Sequence, residues 1–378
     1  MNNSSRVARL SFILAGLLIG SLCRGGDSRP VLKLENELAE VVIDLGGGSI
    51  AAYRLKSDGL NPLQWDSWSF SPKANEAPPI LPRSMGHFLC LDRWGSASDA
   101  EKTHGMPNHG EATQVWWEGL PDRKPVERQV SVGLAADLPM AGISVERYAC
   151  MKQGSTVVLV EEVVTNTNPI GRIYNIVQHP TIGPPFLDTE TVVDSNGTRG
   201  FMQNRPMPKP EKPEVHWPMA QKVDGAEVNL RYLKDDSSPN VVSFIIVEEY
   251  GWVTATSPES GLLLGYLWKS SDYPWLNIWR HVKDGKPFAR GLEFGTSGLH
   301  RPGSDLVAKG RIFDQALYRY IDADEKQSYR YTMFLTEVPR NFDGVASLEY
   351  VDSQIRVTES GSRARKVDVE AFNLFGLD

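Results

Sequence analysis

Apolar residues fall in short runs along this chain, many of them β-branched, and the gaps between runs are filled with Gly, Pro, Asn and Asp. The run Thr156-Val-Val-Leu-Val-Glu-Glu-Val-Val-Thr165 ends in the turn cluster Asn166-Thr-Asn-Pro169. A branched segment bounded in this way predicts a strand. Segments 241–247, 261–268 and 329–335 have the same composition, and 40–44 and 142–148 alternate more cleanly, as strands with one buried face do. One stretch differs. Val345, Leu348, Val351 and Ile355 recur at helical spacing and predict a short helix over 344–356. With 33 Gly and 25 Pro as punctuation, the chain reads as a sheet-rich fold with many turns. Two Pro-rich stretches, 65–82 and 204–213, read as long surface loops inside one domain.

The first residues follow another logic. Arg6 and Arg9 precede an apolar run from Leu10 to Leu22; a basic start and about a dozen apolar residues describe a secretory signal, too short to span a bilayer. Cleavage after Cys23 leaves one domain over 28–378, exported to a periplasmic or extracellular space, with no stable membrane insertion. Lipid anchoring at Cys23 is the alternative, but Leu22 stands where that signal wants a small residue. Export permits a disulfide between Cys90 and Cys150, and two buried thiols are an equal reading. The 40 basic and 47 acidic residues leave a formal charge of −7 with no basic block, so nucleic acid is not an expected partner. Asn196-Gly-Thr198 matches a glycosylation acceptor, meaningful only in a eukaryotic source.

Chemistry concentrates in three segments: Met106-Pro-Asn-His-Gly-Glu-Ala112, Val177-Gln-His-Pro-Thr-Ile-Gly-Pro-Pro-Phe186 and Gly291-Leu-Glu-Phe-Gly-Thr-Ser297. Each places a titratable side chain beside Gly or Pro, where irregular backbone can aim it into a cleft. Two imidazoles and a carboxylate suffice to move protons on and off a neutral substrate near neutral pH. His87 lies in an apolar stretch and reads as a hydrogen-bonded core residue. His104, His109 and Glu111 have a spacing that matches no zinc signature, so neither metal nor cofactor is expected. Arg93 follows Asp92, which can pair with it, but its fork also suits a hydroxyl or carboxylate. Trp275 and Trp279, four apart, would share one face of a strand, either in the cleft or against a second sheet.

These segments resemble the galactose mutarotase-like superfamily of aldose 1-epimerases and hexose-6-phosphate epimerases. Asn108-His-Gly110 is similar to its first histidine motif, 163–168 followed by Tyr174-Asn-Ile-Val-Gln-His-Pro180 to its second, and Leu292-Glu-Phe-Gly-Thr-Ser297 to its segment bearing the catalytic glutamate. The likeness spans roughly residues 32–340 and implies an all-β fold, a large antiparallel β-sandwich, with a sugar held on one face. It implies Glu293 as base, His179 as acid, His109 as a hydroxyl or ring-oxygen ligand, and Trp279 on a strand lining the cleft. His179 is then expected protonated and Glu293 ionised at rest. The chain departs from the pattern at Pro180-Thr-Ile-Gly-Pro-Pro and at Phe294-Gly-Thr-Ser297. The function read from this is a mutarotase or epimerase-like isomerase of a small carbohydrate; the alternative is a carbohydrate-binding sandwich without turnover. Oligomeric state is not legible.

Overall fold

The computed structural model describes residues 29–371, apart from 72, 122–125, 223 and 234–239; the segment read as a signal sequence, with Cys23, lies outside them. The predicted strands pair into two large sheets, and every strand pairing among the described residues is antiparallel. The first sheet has eleven strands. Its path runs Val31–Glu35, Ala39–Asp44, Ile50–Leu55, His87–Asp92, Arg172–Ile182, Lys286–Gly295, Trp275–Lys283, Asn240–Ile245, Arg199–Met202, Val215–His216, and Arg319–Ile321 adds to Arg172–Ile182. The second has eight strands, among them Tyr250–Ser257, Leu262–Lys269, Lys326–Glu337, Val157–Asn166 and Ile143–Lys152. The all-β antiparallel sandwich implied by the sequence is the fold observed.

The sheets face each other across one apolar cluster. Leu89, Ile176, Ile278 and Leu292 enter it from the first sheet; Val145, Val160, Val253 and Leu264 enter from the second. Each such side chain, fully buried, contributes about 1.5–3 kcal/mol relative to exposure. A polar chain crosses this core. Arg147 Nε donates to Glu162 Oε1 at 2.7 Å, and Gln178 on the first sheet donates from Nε2 to Glu162 Oε2. Gln178 Oε1 lies 3.1 Å from His87 Nε2, so His87 is the hydrogen-bonded core residue expected. The Pro-rich segment 204–213 closes a hairpin between Arg199–Met202 and Val215–His216, and the described residues of 65–82 form a loop containing the 3₁₀ turn Ser67–Phe70.

Two readings are corrected. In place of a helix over 344–356 stands a hairpin, Val345–Val351 and Gln354–Glu359, continued by Lys366–Glu370. The register shifts between Val345 and Ser347; this bulge lets Val345 and Leu348, three apart, both reach the core side, which mimics helical spacing. Asp352 and Ser353 both have positive φ, 52° and 60°, as a two-residue hairpin turn of type I′ requires. The sheet buries Val345, Leu348, Ile355 and Val357 on the outer face of the eight-stranded sheet, against Val157, Leu263 and Leu267. The disulfide reading also falls: Cys90 and Cys150 are free thiols, carried on strands of different sheets.

The ion pair in the core gives a test. Side-chain exposure is 1% for Arg147 and 0% for Glu162, so Glu162→Ala strands a buried charge. Its urea midpoint should fall by the equivalent of about 3–5 kcal/mol at unchanged slope.

Candidate functional site

Alternation along four central strands sorts their side chains between the inter-sheet core and the outer face of the large sheet. Ile176 and Ile182 join the core, so Val177, His179 and Thr181 face outward. By the same parity Leu292 and Phe294 turn inward and Glu293 outward; Leu276 and Ile278 turn inward, Asn277 and Trp279 outward; Leu89 and Leu91 turn inward, Phe88 and Cys90 outward. Register then brings the outward set together. Phe88 is opposite His179, Asn277 opposite Glu293, and Glu293 lies between the pairs Gly291↔Thr181 and Phe294↔Gln178, which puts it beside His179.

His179 Nε2 stands 3.1 Å from Glu293 Oε1. Its Nδ1 is 3.0 Å from Thr181 Oγ1, and its ring stacks on Phe88 with centroids 4.1 Å apart and planes at 19°. The other carboxylate oxygen of Glu293 accepts from Trp94 Nε1 at 2.6 Å. His109 arrives from a loop. Its backbone N–H donates to Gly95 O at 3.0 Å, and Gly95 N–H donates to His109 Nδ1 at 3.1 Å. That bond leaves the neutral ring's proton on Nε2. The glycine of the His-Gly motif has a steric cause: Gly110 has φ +79°, and a Cβ there would lie 2.0 Å from Leu91 O. His109 and His179 ring centroids are 5.5 Å apart. The structure thus brings His109, His179 and Glu293 into one site.

Trp279 lies at its edge, 6.0 Å from the His179 ring, whereas Trp275 packs on Phe201 and donates to Ala316 O. Arg93 does not join the cluster. Its Nη2 meets Asp92 Oδ2 at 2.7 Å and its Nη1 meets Glu101 Oε1 at 2.7 Å, so its donors and charge are engaged by two carboxylates. Glu111 accepts from the backbone N–H groups of Met140 and Ala141, and His104 is exposed at the end of Asp99–Thr103. Among the described residues, no group of three or more His, Cys, Asp and Glu is disposed to hold a metal ion.

Two residues at the site carried no signal in the sequence. Trp94, next to Arg93, reaches Glu293 across 199 positions. His300 places its ring 4.8 Å from Trp94 and 5.6 Å from His109. Its segment is held by polar links: His300 N–H to Gln203 Oε1 at 2.9 Å, Gln203 Nε2 to Ser243 Oγ at 2.6 Å, and Ser243 Oγ to Asn277 Oδ1 at 2.6 Å. Only the register of distant strands creates these contacts.

Burial sets the charge states. It raises the Glu293 carboxyl well above the usual range, against the pull of the Trp94 N–H. It lowers His179 well below the ordinary imidazole value, with His109 adding to the shift. His109 is lowered to about 3 by burial and by His300, and His300 itself to about 4 by burial. Burial thus disfavours the charged form of each partner, which opposes the protonated His179 and ionised Glu293 that the resemblance implied at rest. His87 in the core is likewise lowered to about 3 by burial and by Arg147.

No family model and no curated sequence matches the chain. Solved structures do. A galactose mutarotase-like protein from Clostridium acetobutylicum superposes with TM-score 0.57 at 12% identity, covering 82% of this chain and 96% of that one. The galactose mutarotase related enzyme from Lactobacillus acidophilus gives 0.55 at 12%, covering 82% and 98%. A galactose mutarotase-like protein from Lactobacillus casei gives 0.54 at 14%, covering 81% and 100%. The chain has the galactose mutarotase-like fold.

The depressed imidazoles fix a direction of acid stability. Below about pH 6.5 the unfolded chain binds protons that folded His87, His109 and His300 refuse, whereas the proton His179 does not take is kept by Glu293. Stability from His87, His109 and His300 is whole above that pH and falls as pH drops, by about 1.4 kcal/mol per pH unit for each. The urea midpoint should be lower at about pH 5 than at about pH 7.5, and ring resonances of His87, His109, His179 and His300 should remain those of neutral imidazole at the lower pH. Protonation of these rings near their ordinary value would refute the burial account.

Proposed function

We propose that this chain is an exported aldose 1-epimerase-like isomerase that interconverts the anomers of a sugar, with Glu293 as base and His179 as acid. The observation that carries the reading is the 3.1 Å approach of His179 Nε2 to Glu293 Oε1, a matched proton donor and acceptor on the outer face of the large sheet. Opening a sugar ring needs both: the anomeric hydroxyl loses a proton to a base while the ring oxygen gains one from an acid. Rotation about C1–C2 and reversal of the two transfers then give the other anomer, with protons balanced at every step.

A sugar seated between the two side chains replaces their direct contact with bonds to its own hydroxyl and ring oxygen. The single proton of the pair must then reside on His179 and leave Glu293 ionised. Trp94 Nε1–H, 2.6 Å from Glu293 Oε2, stabilises that carboxylate, and the Phe88 face stacked on His179 favours the imidazolium. His109, with Nε2–H as its remaining donor, serves a hydroxyl oxygen. Arg93 is pinned by Asp92 and Glu101, which argues against a phosphorylated sugar as substrate. Export rests on the Arg6, Arg9 and 10–22 pattern and is tested by fractionating cells that express the full chain.

Exchange is measured by NMR or polarimetry over a panel of aldoses. Glu293→Gln should reduce it about 10²–10⁴-fold with affinity nearly unchanged, because the amide still hydrogen-bonds but accepts no proton. His179→Asn should do similar damage, and His109→Asn should weaken binding as well. The pair titrates as a unit. Adding or removing a proton leaves a buried charge, so the pH–rate bell should be broad. Wild-type protein that binds sugars but gives no exchange above the spontaneous rate would establish the alternative, a binding sandwich in which these side chains are hydroxyl ligands.

A further inference from the structure

We infer that the aromatic strip leading outward from His179 is a second sugar subsite, so that the preferred ligand is a reducing disaccharide or longer saccharide. The inference rests on the isomerase-site reading above and names its substrate class. Trp279, 6.0 Å from the His179 ring, also lies 6.1 Å from Trp65 and 6.3 Å from Phe70. Phe70 in turn is 5.0 Å from Phe288 and 5.4 Å from His281. The rings form one connected surface that begins at the acid–base pair and ends at the loop 65–82.

Packing alone does not account for it. Phe70, Trp279 and Phe288 stand outside the apolar clusters of both sheets, and Phe70 is 46% exposed. A connected, partly exposed aromatic surface joined to a cluster of buried titratable side chains is the form a ligand site takes. The ring faces accept the C–H face of a pyranose. Trp65, one ring of the strip, has an Nε1–H that is shielded from solvent and has no hydrogen-bond partner among the described residues, and a sugar hydroxyl oxygen is an acceptor of the kind it lacks.

Charge narrows the ligand further. Arg83 beside the strip is bound through Nε and Nη2 to Asp66, and Lys283 Nζ sits over Phe288 at 5.3 Å. With Arg83 neutralised by Asp66 and Lys283 lying over Phe288, the ring surface suits a neutral saccharide better than an anionic one. A monosaccharide between His109, His179 and Glu293 would leave Phe70 and Phe288 unused. A second unit linked to it would lie over them.

The test compares glucose with maltose and cellobiose, galactose with galactobiose, and mannose with mannobiose, by titration calorimetry and by exchange rate. Wild-type protein should bind at least one disaccharide roughly tenfold tighter than its monosaccharide. Phe70→Ala should abolish that advantage and leave monosaccharide exchange within about twofold. Phe288→Ala, with folding checked by thermal melting, should repeat the result. Equal affinity for every pair, loss of both affinities alike in the variants, or no binding to any of these sugars would overturn the subsite. Exchange of a monosaccharide with no gain for its disaccharide removes the subsite and keeps the isomerase. A disaccharide preference lost in Phe70→Ala without exchange of any sugar keeps the subsite and removes the isomerase.

Discussion

The antiparallel register between Arg172–Ile182 and Lys286–Gly295, with Gly291 opposite Thr181 and Phe294 opposite Gln178, decides which side chains of the large sheet meet outside the core. A shift of one residue in either strand would exchange its faces. His179 or Glu293 would then enter the apolar layer, and Gln178 or Phe294 would leave it. The register is held because the inward set is expensive to lose. Phe294 stacks on Trp268 at 4.2 Å with planes at 5°, and Gln178 is the first sheet's link to the buried Glu162–Arg147 pair. Core packing and site geometry are thus set on alternate residues of the same strands.

That alternation also accounts for the departures from the family pattern. Phe294 follows Glu293 and turns inward, so a large apolar residue there serves the core and leaves the outer face of the sheet unchanged. Thr296 Oγ1 donates to Asn175 Oδ1 at 2.9 Å and accepts from Ile176 N–H at 3.0 Å, fastening the end of one strand to its neighbour. Pro180 restricts His179 to extended backbone, the conformation it has in the strand Arg172–Ile182. Each departure is compatible with the same outward geometry.

Burial gives the site its electrostatic character. Glu293 is 1% exposed and His179 4%, so neither group favours its charged form alone, and a proton passed between them keeps the pair neutral. Two nearby guanidinium groups are already neutralised, Arg93 by Asp92 and Glu101 and Arg83 by Asp66. What remains accessible is aromatic and weakly polar, an environment suited to a neutral ring with hydroxyl groups at its edge.

By itself the sequence determined the strands, whose β-branched runs and turn residues act over a few positions, and it singled out His109, His179 and Glu293 through Gly and Pro neighbours whose local backbone demands are legible. Local pattern was also where it misled: a bulge after Val345 gave two residues three apart the same face and imitated a helix. Tertiary structure alone decided the partners. Trp94 and His300, the separation of Cys90 from Cys150, the capture of Arg93 by carboxylates, and the joining of Phe70 to Trp279 all depend on residues far apart in the chain. Short-range spacing reports the conformation of a segment, whereas contacts across a sheet depend on strand order and register, set by the burial of many side chains at once.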